Sequence, residues 1–96
     1  MKKTQTFQGD PQIVAASHQV SADLSGEAAI LNLKSGKYFG LNAVGARVWE
    51  LIQQPRRVSE MRAAILEEYD VPEGEWERDL EALLQQLLEK ELIEIL

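Results

Sequence analysis

An α+β domain, winged helix-turn-helix-like, with three N-terminal antiparallel β-strands followed by three α-helices, is what this sequence predicts. Two features carry most of that expectation. Two apolar runs, at residues 28–33 and 37–41, flank Lys34-Ser35-Gly36 in the manner of a hairpin. Beyond Asn42, apolar residues recur every three or four positions in three successive segments punctuated by Pro55 and Pro72. A length of 96 residues with 45% hydrophobic content suits one domain with a single modest core.

Residues 1–11 are polar, contain Gly9-Asp10-Pro11 and lack periodicity, so they are expected to form a flexible tail, with 12–96 as the domain. Ile13 to Val20 reads as the first strand and residues 21–26 as the turn that follows. In the hairpin, Gly36 supplies the positive φ of a tight turn. Alternation puts Ala29, Leu31 and Leu33 on one face of the second strand, and Phe39 and Leu41 together on the third with Tyr38 opposite. The apolar face needs a cover.

That cover is expected from the helices. Asn42 suits the N-cap of the first, in which Val44, Val48, Leu51 and Ile52 recur up to Gln53 before Pro55 stops it. Gly45 inside a helix costs about 1 kcal/mol relative to Ala, which implies the close approach of a strand. Ser59 is expected to cap the second helix, with Met61, Ile65 and Tyr69 at every fourth position, although Arg62 stands where a capping box carries Glu or Gln. Val71-Pro72 ends it. In the third, Glu73 and Glu75 suit the positive N-terminal end, and Trp76, Leu80, Leu83, Leu84, Leu87 and Leu88 form an apolar stripe reaching about Lys90. Residues 92–96 are too apolar to float free and are expected to add a helical turn or a short strand to the core.

The composition removes several classes of function. Without cysteine there are no disulfides, thiol nucleophiles or cysteine-ligated zinc, and the single His18, read as a surface strand residue, falls short of a histidine metal site or a catalytic triad. No catalytic residue, metal or cofactor is therefore expected. Net charge is −6, and residues 72–96 hold eight acids against Arg78 and Lys90, a balance that repels nucleic acid and suits a basic or neutral peptide. No apolar stretch approaches a membrane span, and Met1-Lys2-Lys3 leads into polar residues, so a cytoplasmic protein without a membrane partner is expected. Glu67-Glu68 and the acids of residues 73–81 read as solvated helix faces, and Trp49 and Trp76 as core or core-edge residues.

A three-stranded sheet has two edges, and an open edge can receive an extended peptide as a further strand. In this light the order of motifs is informative. The run from Leu31 to Gly45, namely Leu-Asn-Leu-Lys-Ser-Gly-Lys-Tyr-Phe-Gly-Leu-Asn-Ala-Val-Gly, followed by Val48-Trp49-Glu50-Leu51-Ile52, resembles the PqqD family. Val71-Pro72, Glu77-Arg78-Asp79-Leu80, Leu83 through Leu87 and Leu92-Ile93 resemble that family's last helix and tail. The likeness spans residues 13–95, with one departure: where many relatives carry Gly before the final apolar residues, this chain reads Lys90-Glu91-Leu92-Ile93.

The resemblance implies a recognition element that holds the N-terminal leader of a ribosomally made precursor peptide, in a lasso peptide or pyrroloquinoline quinone type pathway. Its partners would be that precursor and a maturation enzyme such as a leader peptidase, a cyclase or a radical enzyme. The implied site comprises Lys37, Tyr38, Phe39, Gly40 and Leu41 on the third strand, with Asp79, Leu83 and Gln86 on the last helix. Since neighbouring strand residues point oppositely, one of Tyr38 and Phe39 is expected to face the core. Asp79 suits either ligand contact or compensation of the helix dipole, and Leu83 a position at the margin of the apolar stripe. The rival is a winged-helix nucleic-acid binder, which the acidity of the last helix disfavours.

Overall fold

The computed structural model describes residues 7–96. Its elements run β1 (Gln12–Ala15), β2 (Gln19–Asp23), β3 (Ala28–Asn32), β4 (Tyr38–Leu41), α1 (Ala43–Leu51), β5 (Arg56–Arg57), α2 (Val58–Glu68), α3 (Glu73–Glu89) and β6 (Ile93–Ile95). The expected α+β class with three helices holds, but four strands rather than three precede α1, β5 falls between α1 and α2, and β6 follows α3. The strands, however, form two antiparallel sheets, ordered β5-β1-β6 and β2-β3-β4.

The single first strand expected over residues 13–20 is thus two strands in different sheets. The chain breaks at Ala16, which is buried and donates its N–H to the Leu92 carbonyl at 2.9 Å, while the Ala15 N–H reaches the Ile52 carbonyl at 2.8 Å. His18 lies in the bend between the two strands rather than within one. The apolar C-terminal residues resolve as β6, with Ile93 opposite Ala15 and Ile95 opposite Ile13.

The phase of β3 also differs from expectation. Ala28, Ile30 and Asn32 face the core, whereas Ala29 and Leu31 lie on the opposite face and Leu33 is exposed in the turn. A simple apolar alternation fails here because the inward set contains a polar residue. Phe39 and Leu41 do share a face, since they pair with Ile30 and Ala28, and Tyr38 lies opposite them beside Leu31. The core is one cluster in which Ile13, Ile30, Val48, Ile52, Met61, Ile65 and Leu84 are fully buried.

Helix starts follow local chemistry with one exception. The Asn42 Oδ1 accepts the Gly45 N–H at 2.9 Å, as the N-cap expectation requires. A Cβ on Gly45 would stand 3.1 Å from the Cδ2 of Leu41, so the close approach comes from a strand side chain rather than strand backbone. Ser59 does not cap α2. Its N–H and hydroxyl both donate to the carboxylate of Asp10, 49 residues upstream, at 2.8 and 2.6 Å, while the Glu60 carboxylate of the same turn accepts the N-cap Arg57 N–H at 2.8 Å. Phe7 is buried in the core as well, which ties residues 7–11 of the expected tail onto the domain; residues 1–6 lie outside the described residues. No helix among the described residues is long and apolar enough to cross a membrane.

The end of α3 completes a Schellman motif without glycine. The Glu91 N–H donates to the Leu88 carbonyl at 3.0 Å and the Leu92 N–H to the Leu87 carbonyl at 2.9 Å, with Leu87 and Leu92 both buried. Glu91 adopts φ 59° to do so. A non-glycine residue in this left-handed region carries strain of about 1 kcal/mol.

Two outcomes are expected from these contacts. Glu91→Gly should raise stability by about 0.5–1 kcal/mol in urea unfolding, because glycine removes the Cβ conflict at some cost in chain entropy. The two bonds from Ser59, side chain first, with Arg57 and Arg62 nearby, hold the Asp10 carboxyl below its ordinary pKa of 3.8. A carboxylate depressed on folding stabilises above the unfolded pKa and loses that contribution as pH falls through the folded one. Asp10→Asn should therefore lower the Tm by several degrees at neutral pH, with the gap to wild type closing below pH 3.8.

Candidate functional site

The sheet β2-β3-β4 leaves β4 at an edge, with no strand on its outer side among the described residues. Its four residues, Tyr-Phe-Gly-Leu, carry neither charge nor proline, the devices that usually blunt an edge. Across from it runs α3, and between them opens a cavity of about 370 Å³. Phe39, Gly40 and Leu41 form its strand side, Asp79, Leu83 and Gln86 its helix side, and Val71-Pro72 with Trp76 one end. A second cavity of about 350 Å³ adjoins it at the hairpin, lined by Lys34, Lys37, Tyr38, Phe39, Lys90 and Glu91 among others. Phe39 lines both, so the two form one groove along β4.

All eight residues expected from the sequence therefore line this groove. Their roles divide. Leu41 is buried and belongs to the floor, Phe39 is half-buried against the core, and Tyr38 is 73% exposed on the opposite face of the sheet, where it reaches only the hairpin end. Leu83 sits half-buried at the margin of the apolar stripe. Asp79 and Glu75 make the far end acidic, while Lys34, Lys37 and Lys90 offset Glu89 and Glu91 at the hairpin end.

Sequence reasoning missed Val71, Pro72, Trp76 and the Lys90–Glu91 turn as groove residues. Trp76 is only 5% exposed, which fits its expected core role, yet it also lines the cavity, and its indole N–H has no partner among the described residues. The signal at Glu91 was present as the missing glycine.

Asn32 fixes the hairpin end of the groove. Its Oδ1 accepts the N–H groups of Lys34 at 2.8 Å and Ser35 at 3.2 Å, and its Nδ2 donates to the Lys90 carbonyl at 2.8 Å. Beside it the His18 Nε2 contacts the Glu91 carbonyl at 2.7 Å, which makes that nitrogen the donor. Two carbonyls at the end of α3 are thus satisfied by the β3–β4 sheet and the bend leading into it.

A cavity of similar size, about 370 Å³, lies at the other edge of the same sheet, between β2 and α1. Its one cation, Arg47, is already engaged: it forms a two-bond pair with Glu68 at 2.8 and 3.0 Å and a third bond to Glu50.

Comparison with known proteins places this geometry. The family model described as Coenzyme PQQ synthesis protein D (PqqD) matches residues 27–93. Among solved structures, that of TbiB1 in complex with the TbiA(beta) leader peptide is 42% identical, with a TM-score of 0.77, covering 84% of this chain and 94% of that one. A lasso peptide synthetase B1 complexed with the leader peptide is 22% identical, with a TM-score of 0.73, covering 85% and 96% respectively, and shares the fold. No curated protein sequence matches.

Removing the Asn32 amide should leave the part-buried Lys90 carbonyl and two turn N–H groups without that partner. Asn32→Leu is expected to cost about 2–3 kcal/mol in urea unfolding, whereas His18→Gln, which keeps a donor in reach of Glu91, should cost under about 1 kcal/mol.

Proposed function

This chain belongs to the PqqD family, and on that premise we propose that it binds the N-terminal leader of a ribosomally synthesised precursor peptide by strand addition to β4 and delivers it to modifying or proteolytic enzymes. The observation that carries the reading is the unpaired, uncharged edge of β4 facing a cavity walled by α3. An extended peptide satisfies the open backbone groups of that edge, and its alternate side chains enter the groove as anchors. TbiB1, the 42% identical relative, was solved with a leader peptide.

The same features favour peptide over nucleic acid. Glu73, Glu75, Glu77, Asp79 and Glu81 crowd the first half of α3, so the helix that a winged-helix protein lays against phosphates is here strongly acidic. We propose residues 12–96, with residues 7–11 packed onto them, as the binding unit, acting in the cytoplasm, where precursors are translated. The role is delivery without catalysis: the sequence has no cysteine, and the ring of its one histidine is held against the Glu91 carbonyl. Holding the precursor beside an enzyme raises its effective concentration there without a new chemical group. The lasso peptide and pyrroloquinoline quinone pathways are the two settings this role fits.

Titrating isotope-labelled protein with the TbiA(beta) leader peptide should shift the backbone amides of residues 38–41 and of α3 around Leu83, and leave β2 unmoved. Leu83→Glu should weaken binding at least about tenfold, a loss of about 1.4 kcal/mol, measured at a temperature where a thermal melt shows the variant folded. Shifts confined to residues 19–23, or an unaltered affinity in the Leu83 variant, would place the ligand elsewhere and overturn the assignment.

A further inference from the structure

The open edge at β2 has a backbone and a cavity of its own. In the pairing of β2 with β3, the His18 carbonyl accepts the Leu33 N–H, and Leu24 exchanges both backbone bonds with Glu27. Alternation along an antiparallel ladder therefore turns the backbone N–H and C=O of Ser21 and Asp23 away from β3, to a side where no described strand lies. Both residues also line the cavity of about 370 Å³ between β2 and α1. Its helix side is cut back to Ala43 and Ala46, with Trp49 and Tyr69 as aromatic walls. Trp49 is 4% exposed, yet its indole N–H has no hydrogen-bond partner among the described residues. A buried donor left open costs about 1–3 kcal/mol, which an acceptor brought by a ligand would recover. The charges here are one-sided. Arg47, the one cation on the cavity, is held by Glu68 and Glu50, so Asp23 and Glu27 have no cation of their own among the described residues. The Asp23 Oδ1 accepts the Gly26 N–H, at 3.3 Å.

We propose that this cavity is a second peptide site, which takes an extended segment bearing lysine or arginine from a protein other than this chain. The site is independent of whatever β4 holds. Laid on β2, such a segment bonds through the open groups of Ser21 and Asp23, and every second side chain turns inward toward α1. There a cationic head meets Asp23 and Glu27, while its apolar stem lies against Trp49 and Tyr69, rings that attract a cation. The segment also brings carbonyl oxygens, the acceptors that the Trp49 N–H lacks. Two observations favour a foreign basic segment over a second copy. The net charge of −6 opposes self-association. Neither open edge of this sheet, Gln-Val-Ser-Ala-Asp in β2 or Tyr-Phe-Gly-Leu in β4, carries a lysine or arginine to place in the cavity of a partner copy.

The test titrates the isotope-labelled full chain with the end-capped peptide Thr-Arg-Thr-Arg-Thr, and in parallel with versions carrying Gln or Glu in place of Arg. The Arg peptide should shift the backbone amides of residues 19–23 and the indole N–H of Trp49, and leave residues 38–41 unmoved. Loss of exposed ion pairs should weaken binding at least about fivefold, both for the Gln peptide and for Glu27→Lys titrated with the Arg peptide. Ala46→Leu, which fills the cavity without altering charge, should abolish the indole shift. Amides of residues 19–23 that the Arg peptide leaves in place overturn the proposal, as do equal binding of the Glu peptide and shifts confined to residues 38–41. A dimer in sedimentation whose formation alone moves residues 19–23 overturns it too, since the occupant would then be a second copy. Thermal melts separate misfolding from lost binding, and the result is taken from whichever of the two variants folds. The TbiA(beta) leader peptide is titrated separately: its failure to move residues 38–41 refutes the leader-binding reading and leaves the β2 site to its own result.

Discussion

One buried amide sets the distance between β4 and the end of α3. Asn32 is the one polar residue buried among the described residues, and an amide in that position is tolerable because both its oxygen and its nitrogen are bonded. Its oxygen gathers the hairpin turn and its nitrogen holds the Lys90 carbonyl at the C-cap of α3. If the hairpin slid along the helix, several buried donors and acceptors would lose their partners together. The hairpin end of the groove is thus held by directional bonds, which specify a distance, where apolar contact alone would permit repacking.

The same residue explains where the sequence was legible and where it was not. The hairpin, Asn42 as a cap and the stripe of α3 could be read because each depends on residues within a few positions of one another. The phase of β3 could not, since its inward set includes Asn32, whose partner Lys90 is 58 residues away. The break between β1 and β2 is equally non-local, fixed by Leu92 and Ile52 receiving the backbone of Ala16 and Ala15. Asp10 capping α2 is a third case: the acid lies in a stretch with no periodicity and finds Ser59 only in the folded chain. For the site, the strand and helix residues were legible through family pattern, while Trp76 and Val71-Pro72 were hidden because core burial and groove lining coincide at one side chain.

Both edges of the β2-β3-β4 sheet are open, and both face a cavity, so an open edge alone does not choose a site. Both walls carry apolar side chains, Trp49 and Tyr69 among them at β2, and what differs is the ion pairing beside them. At β2 the cavity is bordered by Arg47, whose guanidinium is committed to two carboxylates. At β4 the wall offers Leu83, Trp76 and Val71 beside the half-buried Phe39, apolar surface that gains from covering. Backbone pairing to an edge exchanges water bonds for peptide bonds at little net gain, so anchors of this kind decide affinity and the edge decides register.

A strand laid on β4 must alternate, and that fixes how recognition is divided. Half of its side chains enter the groove toward α3 and settle whether the peptide binds. The other half stand on the outer face, in line with Tyr38, Leu31 and Val20, where no further element of the described residues lies to contact them. Those side chains remain readable by another protein. A domain that buried both faces of its ligand would bind more tightly, yet would hide the peptide from the enzyme it serves; a sheet covered on one side only keeps the two tasks apart.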